Sequence, residues 1–334
     1  MDLQQNISLK PYNTFGIDLP ADYFITLKDV EDLSEISLLP YQKHVLGGGS
    51  NILLTQPVNG LVIHNELKGI TAMKEDAEHI WLQVASGEIW HDLVLFAVSN
   101  SYGGIENLAL IPGTVGASPM QNIGAYGVEA RQTIESVTFW RWDEQTFTTY
   151  NNDQCEFEYR DSVFKSKLKD KVFITSVVFK LTKHPQFNTS YGAIEPELEK
   201  MGVRELTLKS IMDAVINIRT SKLPDPKQIG NAGSFFKNPT IPKVHFDILA
   251  CKYPAMPSYP VNDKMVKVPA GWLIEQCGWK GFTAGQTGVH AKQALVLVNY
   301  GNAKGNDIWQ LSTEILASVK ERFDIELERE VQMW

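Results

Sequence analysis

Two glycine-rich segments contain the residues whose types and spacing best suit phosphate binding. The first is Leu46-Gly47-Gly48-Gly49-Ser50-Asn51, directly after a predicted strand. Glycines permit positive φ and let backbone N–H groups approach a phosphate without a Cβ in the way. The segment is neither a GxGxxG motif nor a P-loop, because Ile52-Leu53-Leu54 reads as a strand and not as the helix of a Rossmann motif. Taken alone, the segment is more typical of a tight turn.

The second glycine-rich segment, residues 111–127, favours a cofactor role. It contains four glycines and two prolines and has little apolar surface of its own to bury. It could be a long connection, but a long ordered loop in a compact domain is usually functional. Two such loops in one strand-rich half fit a dinucleotide pyrophosphate held outside a Rossmann fold. We call residues 46–51 the first glycine loop and residues 111–127 the second.

The elements around these loops predict an α+β protein. Apolar runs bounded by Gly, Pro and Asn predict short strands in the first half, and Gly103-Gly104 ends a helix with Trp90, Leu93, Val94 and Ala97 on one face. The predicted strands cover residues 44–46, 51–54, 61–63, 80–84, 136–142 and 172–181, and the predicted helix covers 90–99.

The pattern of apolar residues changes after a polar stretch, residues 184–205. Thr207 could cap a helix with the apolar stripe Leu208, Ile211, Met212, Val215 and Ile218. A loop rich in Pro and Gly is predicted over 222–242, helices over 270–277 and 307–323, and an alternating strand over 324–333. In that strand one face carries Ile325, Leu327, Val331 and Met333. A domain boundary is expected between residues 185 and 206.

Composition excludes several classes of protein. The 334 residues are 43% hydrophobic and 21% charged, without an apolar run long enough to span a membrane or a basic N-terminal signal. A soluble intracellular protein is therefore expected. The formal net charge of −8 disfavours nucleic-acid binding, which needs a basic surface. The three cysteines are far apart and the seven histidines show no ligand spacing, so we predict no metal and no disulfide framework.

An ordered series of motifs resembles one enzyme family over residues 8 to 333. The chain is similar to the UDP-N-acetylenolpyruvoylglucosamine reductases, flavoenzymes that make UDP-N-acetylmuramate for bacterial peptidoglycan. Any one motif is moderately specific, and the ordered set is very specific. The motifs are Asn13-Thr14-Phe15-Gly16, the first glycine loop, Glu106–Gly113, Gln121–Gly127, Tyr159-Arg160-Asp161-Ser162, Lys222-Leu223-Pro224-Asp225-Pro226 and Gly230–Pro239.

The resemblance implies a domain plan. An FAD-binding domain of the vanillyl-alcohol-oxidase/PCMH type is expected over residues 1–184, with two α+β parts, about 1–68 and 69–184. A connector over 185–205 would carry the tyrosine loop of the family's first type, around Tyr191. A smaller α+β substrate-binding domain is expected over 206–334, its terminal strand returning to the active site.

The resemblance also implies roles for three catalytic residues. Arg160 would grip the substrate carboxylate with its planar fork, although an ion pair with Asp161 or Glu158 would be its ordinary role. Ser234 would donate a proton to the substrate carbanion, although a Ser after Gly is ordinarily a cap or turn residue. A serine is a weak acid, so a cation, Lys222 or Lys237, should stand close to it. Glu330 would be a second acid or would orient the serine.

The implied ligands are non-covalent FAD, NADPH as reductant, and UDP-N-acetylglucosamine enolpyruvate as a small-molecule substrate. Residues expected to bind FAD are Gly47, Gly48, Gly49, Ser50, Asn51, Pro112, Gly113, Thr114, Gly116, Ala117, Ser118, Asn122, Gly124 and Tyr126. Residues expected to bind the UDP-sugar are Tyr191, Lys222, Asn238 and Gln293. We expect a cytoplasmic bacterial monomer without a membrane or nucleic-acid partner.

Two alternative functions remain open. Another FAD oxidoreductase of the same flavin fold, acting on a sugar or an alcohol, would share the glycine loops but would not need Gly230–Pro239 or Glu330. A non-catalytic UDP-sugar-binding protein would need Lys222 and Asn238 but no flavin. A visible absorption spectrum separates these alternatives.

Overall fold

A computed structural model describes residues 2–334, whose backbone forms two compact units. The first unit comprises the residues up to Ile7 together with Ala21–Gly48 and Val58–Ser221. The second unit comprises Ser8–Pro20, Gly49–Pro57 and Lys222–Trp334. Within the described chain, no helix is long and apolar enough to cross a membrane.

This division differs from the predicted domain plan in two places. Residues 185–221 belong to the first unit, because Leu198, Met212, Val215 and Ile218 pack into its largest hydrophobic core. Two N-terminal segments belong to the second unit. One of them supplies Ile52–Leu53, which pairs in parallel with Gln332–Met333. Pairing between residues far apart in sequence is not visible to local patterns, which explains the difference.

The first unit contains a four-stranded sheet and a five-stranded sheet. The four strands, in spatial order, are Gln4–Ser8, Pro20–Leu27, Val58–Asn65 and Lys43–Leu46. The five strands, in spatial order, are Thr146–Asn151, Ile134–Arg141, Val172–Thr182, His79–Ala85 and Ile70–Glu75. All neighbours in the second sheet are antiparallel. Strands predicted around residues 44–46, 61–63, 80–84, 136–142 and 172–181 are confirmed.

Helices cover the core of the first unit. Their bounds are Leu33–Leu38, Trp90–Ser99, Ala117–Met120, Ile194–Lys200 and Leu208–Lys222, the last ending at the unit boundary. Trp90–Ser99 has the predicted bounds and buries the predicted face. Thr207 caps the helix that follows it, since its Oγ1 accepts a hydrogen bond of 3.0 Å from the N–H of Ser210. Gly124–Ala125 and Val128–Glu129 form a small hairpin inside the second glycine loop.

The second unit contains the short pair Ile52–Leu53 and Gln332–Met333, two larger sheets and three α-helices. One sheet has the order Gly230–Ser234, Val296–Asn299, Thr287–Val289 and Thr283–Ala284. The other has the order Thr240–Pro242, Met265–Lys267 and Tyr259–Pro260. The helices are Lys243–Lys252, Ala270–Gln276 and Gly305–Phe323, of which the last two were predicted within two residues.

Two predictions for the second unit are wrong. Residues 222–242 are not all loop, because Gly230–Ser234 and Thr240–Pro242 are strands. Their backbone pairs with neighbouring strands, and this tertiary pairing overrides the low strand propensity of glycine. Residues 324–333 form a strand only at Gln332–Met333. The alternation of buried side chains is present at Ile325, Leu327 and Val331, but Met333 is 53% exposed.

Candidate active site

The two glycine loops touch each other inside the first unit, at Gly47, Gly48 and Gly113. A Cβ atom added to Gly47 would lie 2.5 Å from the Oγ1 of Thr114, and one added to Gly48 would lie 3.0 Å from the Cα of Gly113. Neither Gly47 nor Gly48 has a positive φ. These two positions therefore need glycine because the loops approach closely, whereas the sequence suggested unusual backbone angles.

Backbone donors remain unused where the two loops meet. The N–H groups of Gly47, Gly48, Gly113 and Thr114 donate to no other residue in the described part of the chain. Farther along the second loop the pattern changes, because the N–H of Val115 bonds to Glu88 O at 2.8 Å and that of Gly116 bonds to Ser86 O at 2.8 Å. The second loop is thus anchored after Thr114 and leaves donors suited to phosphate oxygens before it.

The other end of the first glycine loop belongs to the second unit. Gly49 has a φ of +59°, and a Cβ there would collide with the carbonyl of Tyr12. The N–H groups of Gly49 and Ser50 also donate to no other described residue. The side chain of Asn51 donates to the backbone oxygen of Glu330 at 3.3 Å.

Two predicted cofactor residues use their side chains within the protein. The Ser118 hydroxyl is fully buried and donates to Val115 O at 2.7 Å. The buried Asn122 amide donates to Glu158 O at 2.9 Å, and its oxygen accepts from the N–H of Arg131 at 3.0 Å. These side chains shape the second glycine loop, so any part they take in binding would come from their backbone.

Arg160 lies against the second glycine loop. Its Nη2 donates to the carbonyl of Gly124 at 2.6 Å, and a Cβ at Gly124 would lie 3.0 Å from its Nη1. The residue has a φ of +58°, a left-handed conformation that costs about 1–2 kcal/mol for a residue with a side chain. Such strain persists only where the surroundings impose it, and it is common at functional sites.

Arg219 is a candidate that reading the sequence missed. It lies on the helix Leu208–Lys222, four residues after the buried Val215 and seven after the buried Met212. Its guanidinium hydrogen-bonds the side chain of Tyr126, and burial lowers its pKa. The signal in the sequence was a cation at a position of the apolar stripe, where the helix period leaves no room for a solvated side chain.

Two rings of the first unit, Tyr126 and His91, interact with this arginine, and a third, Tyr191, packs against Tyr126. Burial raises the pKa of the Tyr126 phenol, which therefore stays protonated. The rings of Tyr126 and Tyr191 meet edge to face, with centroids 5.8 Å apart. His91 accepts a hydrogen bond at Nδ1 from the N–H of Leu110 at 3.0 Å, and burial lowers its pKa.

Ser234 and Glu330 come together in the second unit. Ser234 is the last residue of the strand Gly230–Ser234, and its side chain bonds to no other described residue. The N–H of Glu330 donates to the carbonyl of Phe235 at 2.8 Å, and Arg329 forms an antiparallel bridge with Phe236. The terminal segment thus pairs with the backbone that directly follows Ser234. Two parts of the chain that are distant in sequence therefore lie side by side.

The two candidate cations near Ser234 in sequence differ in their partners. The Nζ of Lys237 lies 2.5 Å from Glu328 Oε1, and its side chain is 14% exposed. Lys222 is exposed, and its ammonium pairs with no carboxylate in the part of the chain that the structure describes. Glu328 therefore already neutralises Lys237, while the charge of Lys222 is available.

Asn238 and Gln293 lie at one end of the helix Ala270–Gln276. The Oδ1 of Asn238 accepts from the N–H of Ala270 at 2.9 Å, which leaves its amide nitrogen as a donor. A Cβ at Gly271 would lie 3.2 Å from the Oε1 of Gln293. The structure thus places these two predicted substrate residues close together, in the same unit as Lys222 and Ser234.

The remaining polar clusters do not suggest a metal. Among residues 2–334, no group of three or more His, Cys, Asp or Glu side chains is placed to hold a metal ion. Of the cysteines, Cys155 is buried, and burial raises the pKa of its thiol to about 12. A thiol of that kind is a poor nucleophile.

Two family descriptions match the chain in succession. Residues 21–150 match the "FAD binding domain", and residues 225–334 match "UDP-N-acetylenolpyruvoylglucosamine reductase, C-terminal domain". The first range contains both glycine loops with their unused N–H donors, so the residues present fit an FAD pyrophosphate. The protein is an FAD-dependent oxidoreductase, as predicted.

Relatives that match over the full length define the family. A UDP-N-acetylenolpyruvoylglucosamine reductase from Flavobacterium johnsoniae is 51% identical, with 100% of both chains covered. One from Neisseria gonorrhoeae is 48% identical, covering 98% of this chain and 96% of the relative. The chain belongs to the UDP-N-acetylenolpyruvoylglucosamine reductase family, which confirms the resemblance seen in its motifs.

A solved structure supports the fold. The UDP-N-acetylenolpyruvylglucosamine reductase from Thermus caldophilus covers 100% of this chain and 99% of its own, with a TM-score of 0.71 at 24% identity. At that identity the likeness concerns the fold alone. Together with the two family matches it confirms an α+β fold with an FAD-binding domain followed by a smaller C-terminal domain.

Proposed function

We propose that the protein reduces UDP-N-acetylglucosamine enolpyruvate to UDP-N-acetylmuramate with NADPH, a step in bacterial peptidoglycan synthesis. The observation that carries this proposal is the backbone pairing between the segment of Glu330 and the segment after Ser234. This pairing brings the part of the chain with the carboxylate of Glu330 beside the part with the hydroxyl of Ser234. The names of the full-length relatives supply the substrate. A cytoplasmic monomer is part of the same proposal.

The chain would hold FAD through its backbone. The chemistry that FAD would supply when bound is hydride transfer from NADPH to the methylene carbon of the enolpyruvyl group. The unused N–H groups of Gly47, Gly48, Gly113 and Thr114 would receive the pyrophosphate oxygens. Close contact between the loops keeps these donors in place without the entropy cost of ordering long side chains.

Arg160 would bind the substrate carboxylate. Negative charge spreads onto that carboxylate once hydride has been added to the neighbouring double bond, so a fixed cation there stabilises the transition state. The guanidinium fork offers two parallel donors and stays charged at any working pH. Its bond to the carbonyl of Gly124 keeps the fork in one orientation before the substrate arrives.

Ser234 would complete the reaction by moving a proton from its Oγ to the carbon beside the carboxylate. Hydride and proton are then both added across the double bond. The alkoxide that remains needs a nearby cation, and Lys222 suits this role better than Lys237, which is paired with Glu328. Glu330 would orient the serine or return a proton to it. Tyr191, Lys222, Asn238 and Gln293 would hold the UDP-sugar through donors and charge.

Flavin absorbance tests the proposal. The purified protein should be yellow, NADPH should bleach it without oxygen, and UDP-N-acetylglucosamine enolpyruvate should restore the colour. A protein that bleaches but does not recover with this substrate would instead favour a sugar or alcohol oxidoreductase of the same flavin fold. A colourless protein that takes up no added FAD would contradict any function as a flavoenzyme.

A further inference from the structure

Arg219 carries a positive charge in a partly buried position of the first unit. Its Nε is inaccessible to solvent and has no hydrogen-bond partner among residues 2–334. No carboxylate in that part of the chain pairs with its guanidinium, whose side-chain partner is the phenol of Tyr126. An arginine cannot become neutral to escape this situation, so its positive charge stays in the protein.

Two described groups that interact with Arg219, Tyr126 and His91, carry no negative charge. Tyr126, from the second glycine loop, stays protonated because burial raises its pKa. His91, from the helix Trp90–Ser99, is also uncharged, since its Nδ1 accepts a hydrogen bond and burial lowers its pKa. These surroundings of Arg219 therefore favour binding of an anion. A poorly solvated charge raises the free energy of the protein until an opposite charge pairs with it.

A purely structural role explains this arrangement less well. A guanidinium that serves only packing usually donates to backbone carbonyls, and its stem covers apolar surface. Here a buried N–H is left without an acceptor, and the charge lies beside the second glycine loop, in which the N–H groups of Gly113 and Thr114 also donate to no other described residue. Methionine could fill the same position on the helix stripe without those costs.

We propose that Arg219 binds an anionic oxygen of a bound ligand and that Tyr126 is the residue that positions its guanidinium. The shared chemistry is an oxygen that carries negative charge, on a phosphate, on a carboxylate or on a carbonyl attached to a heterocyclic ring. The source is FAD or the UDP-sugar. The first possibility depends only on the FAD-dependence of the family, and the second rests on the proposed function.

The decisive variant is Arg219→Met, compared with Arg204→Met as the matched control. Arg204 is an exposed arginine of the same unit, so its loss removes the same formal charge without touching the cluster. FAD affinity is measured from the flavin fluorescence released when the holoenzyme is diluted. Affinity for UDP-N-acetylglucosamine enolpyruvate is measured from the change in flavin absorbance of the FAD-saturated protein.

Arg219→Met should weaken one of these two affinities by about 10- to 100-fold, the range expected for a lost charge-assisted hydrogen bond. The affected affinity identifies the ligand. The flavin-free Arg219→Met protein should melt at the same temperature as the parent or higher, because an unpaired buried charge has been removed. Tyr126→Phe should weaken the same affinity by less than about tenfold, since it leaves the charge and removes only its support.

Both affinities remaining within about twofold of the parent would overturn the proposal. If Arg219→Met does not fold, Arg219→Lys decides, because it keeps the charge and loses the fork and Nε. A loss of at least about threefold in one affinity supports the proposal, and unchanged affinities contradict it. If the parent protein is yellow but its reduced flavin is not reoxidised by the UDP-sugar, the proposed function fails. The measurement of FAD affinity still tests the role of Arg219 in that case.

Discussion

The two units present their candidate functional groups in different ways. In the first unit the unused donors belong mainly to the backbone, where Gly47 and Gly48 pack against Thr114 and Gly113. In the second unit the candidates are side chains, with Ser234 and Glu330 on paired segments and Lys222 exposed. Cofactor binding should therefore be sensitive to added side-chain volume, whereas the chemical step should be sensitive to the loss of single functional groups.

This difference decides which measurement each substitution should affect. Under the proposed function, a change in the glycine loops acts on binding of FAD before any chemistry takes place. A change at Ser234 acts after hydride transfer and should leave the NADPH half-reaction intact. Arg160 is the informative exception, since it is a side chain proposed to bind substrate, and it lies in the unit whose other candidates are backbone groups.

The largest expected effect is that of Ser234→Ala. Flavin reduction by NADPH should stay near the parent rate, because Ser234 moves no proton in that half-reaction. Reoxidation by the UDP-sugar should slow by about 100- to 10,000-fold, the usual contribution of a proton donor. Stopped-flow absorbance without oxygen measures both steps. Equal slowing of the two half-reactions would count against a proton-donor role.

Arg160→Lys should have the next largest effect. A point charge cannot replace the two parallel donors of the guanidinium, and the bond to Gly124 that orients the fork is lost. The substrate half-reaction should slow by about 100- to 1,000-fold at saturating substrate. Near-normal turnover would return Arg160 to the alternative of a surface ion pair.

Local sequence patterns predicted the elements that follow a simple period. The helix Trp90–Ser99 and the strand His79–Ala85 carry their buried residues at the spacing of each structure, so their bounds were close to the observed ones. The strand Gly230–Ser234 could not be predicted in this way, because its stability comes from pairing with Val296–Asn299. The same reason explains why the two N-terminal segments of the second unit were expected with the first half of the chain.

For the site, motifs named most candidates, while the structure supplied their partners. The resemblance located Ser234 and Glu330. Only the backbone hydrogen bond between Glu330 and Phe235 shows that their segments lie side by side. The sequence did not show which of Lys222 and Lys237 supports Ser234. The ion pair between Lys237 and Glu328 distinguishes them, because it already neutralises the charge of Lys237. Arg219 was missed although its position on the apolar stripe was visible, because its hydrogen bond with Tyr126 joins residues far apart in sequence.

A smaller effect is expected for Gly48→Val, which tests the loop contact directly. Its Cβ would meet the Cα of Gly113 at 3.0 Å, and the branches of valine would add to the overlap, so the loops must separate. Overpacking of this kind costs about 1–3 kcal/mol, which corresponds to a loss of roughly 10- to 100-fold in FAD affinity. Flavin fluorescence on dilution measures it.

Gly192→Val is the control for this substitution. A Cβ at Gly192 meets nothing within 4 Å, so the added volume should leave FAD affinity within about twofold. If Gly48→Val binds FAD as well as the Gly192 variant does, the loop contact does not hold the donors, and the contrast between the two units loses its basis.

The smallest expected difference separates the two lysines. Lys222→Met should slow flavin reoxidation by about tenfold at saturating substrate, a loss of about 1.4 kcal/mol, because it removes the available cation. Lys237→Met should slow it by less than about threefold, since its charge is already neutralised by Glu328. Glu328 is 70% exposed, so water can solvate it once its partner is gone. Saturating substrate separates this effect from any part Lys222 takes in binding the UDP-sugar. The reverse order, with Lys237 the more damaging loss, would contradict this assignment and would mean that Lys237, despite its ion pair with Glu328, is the cation that supports Ser234.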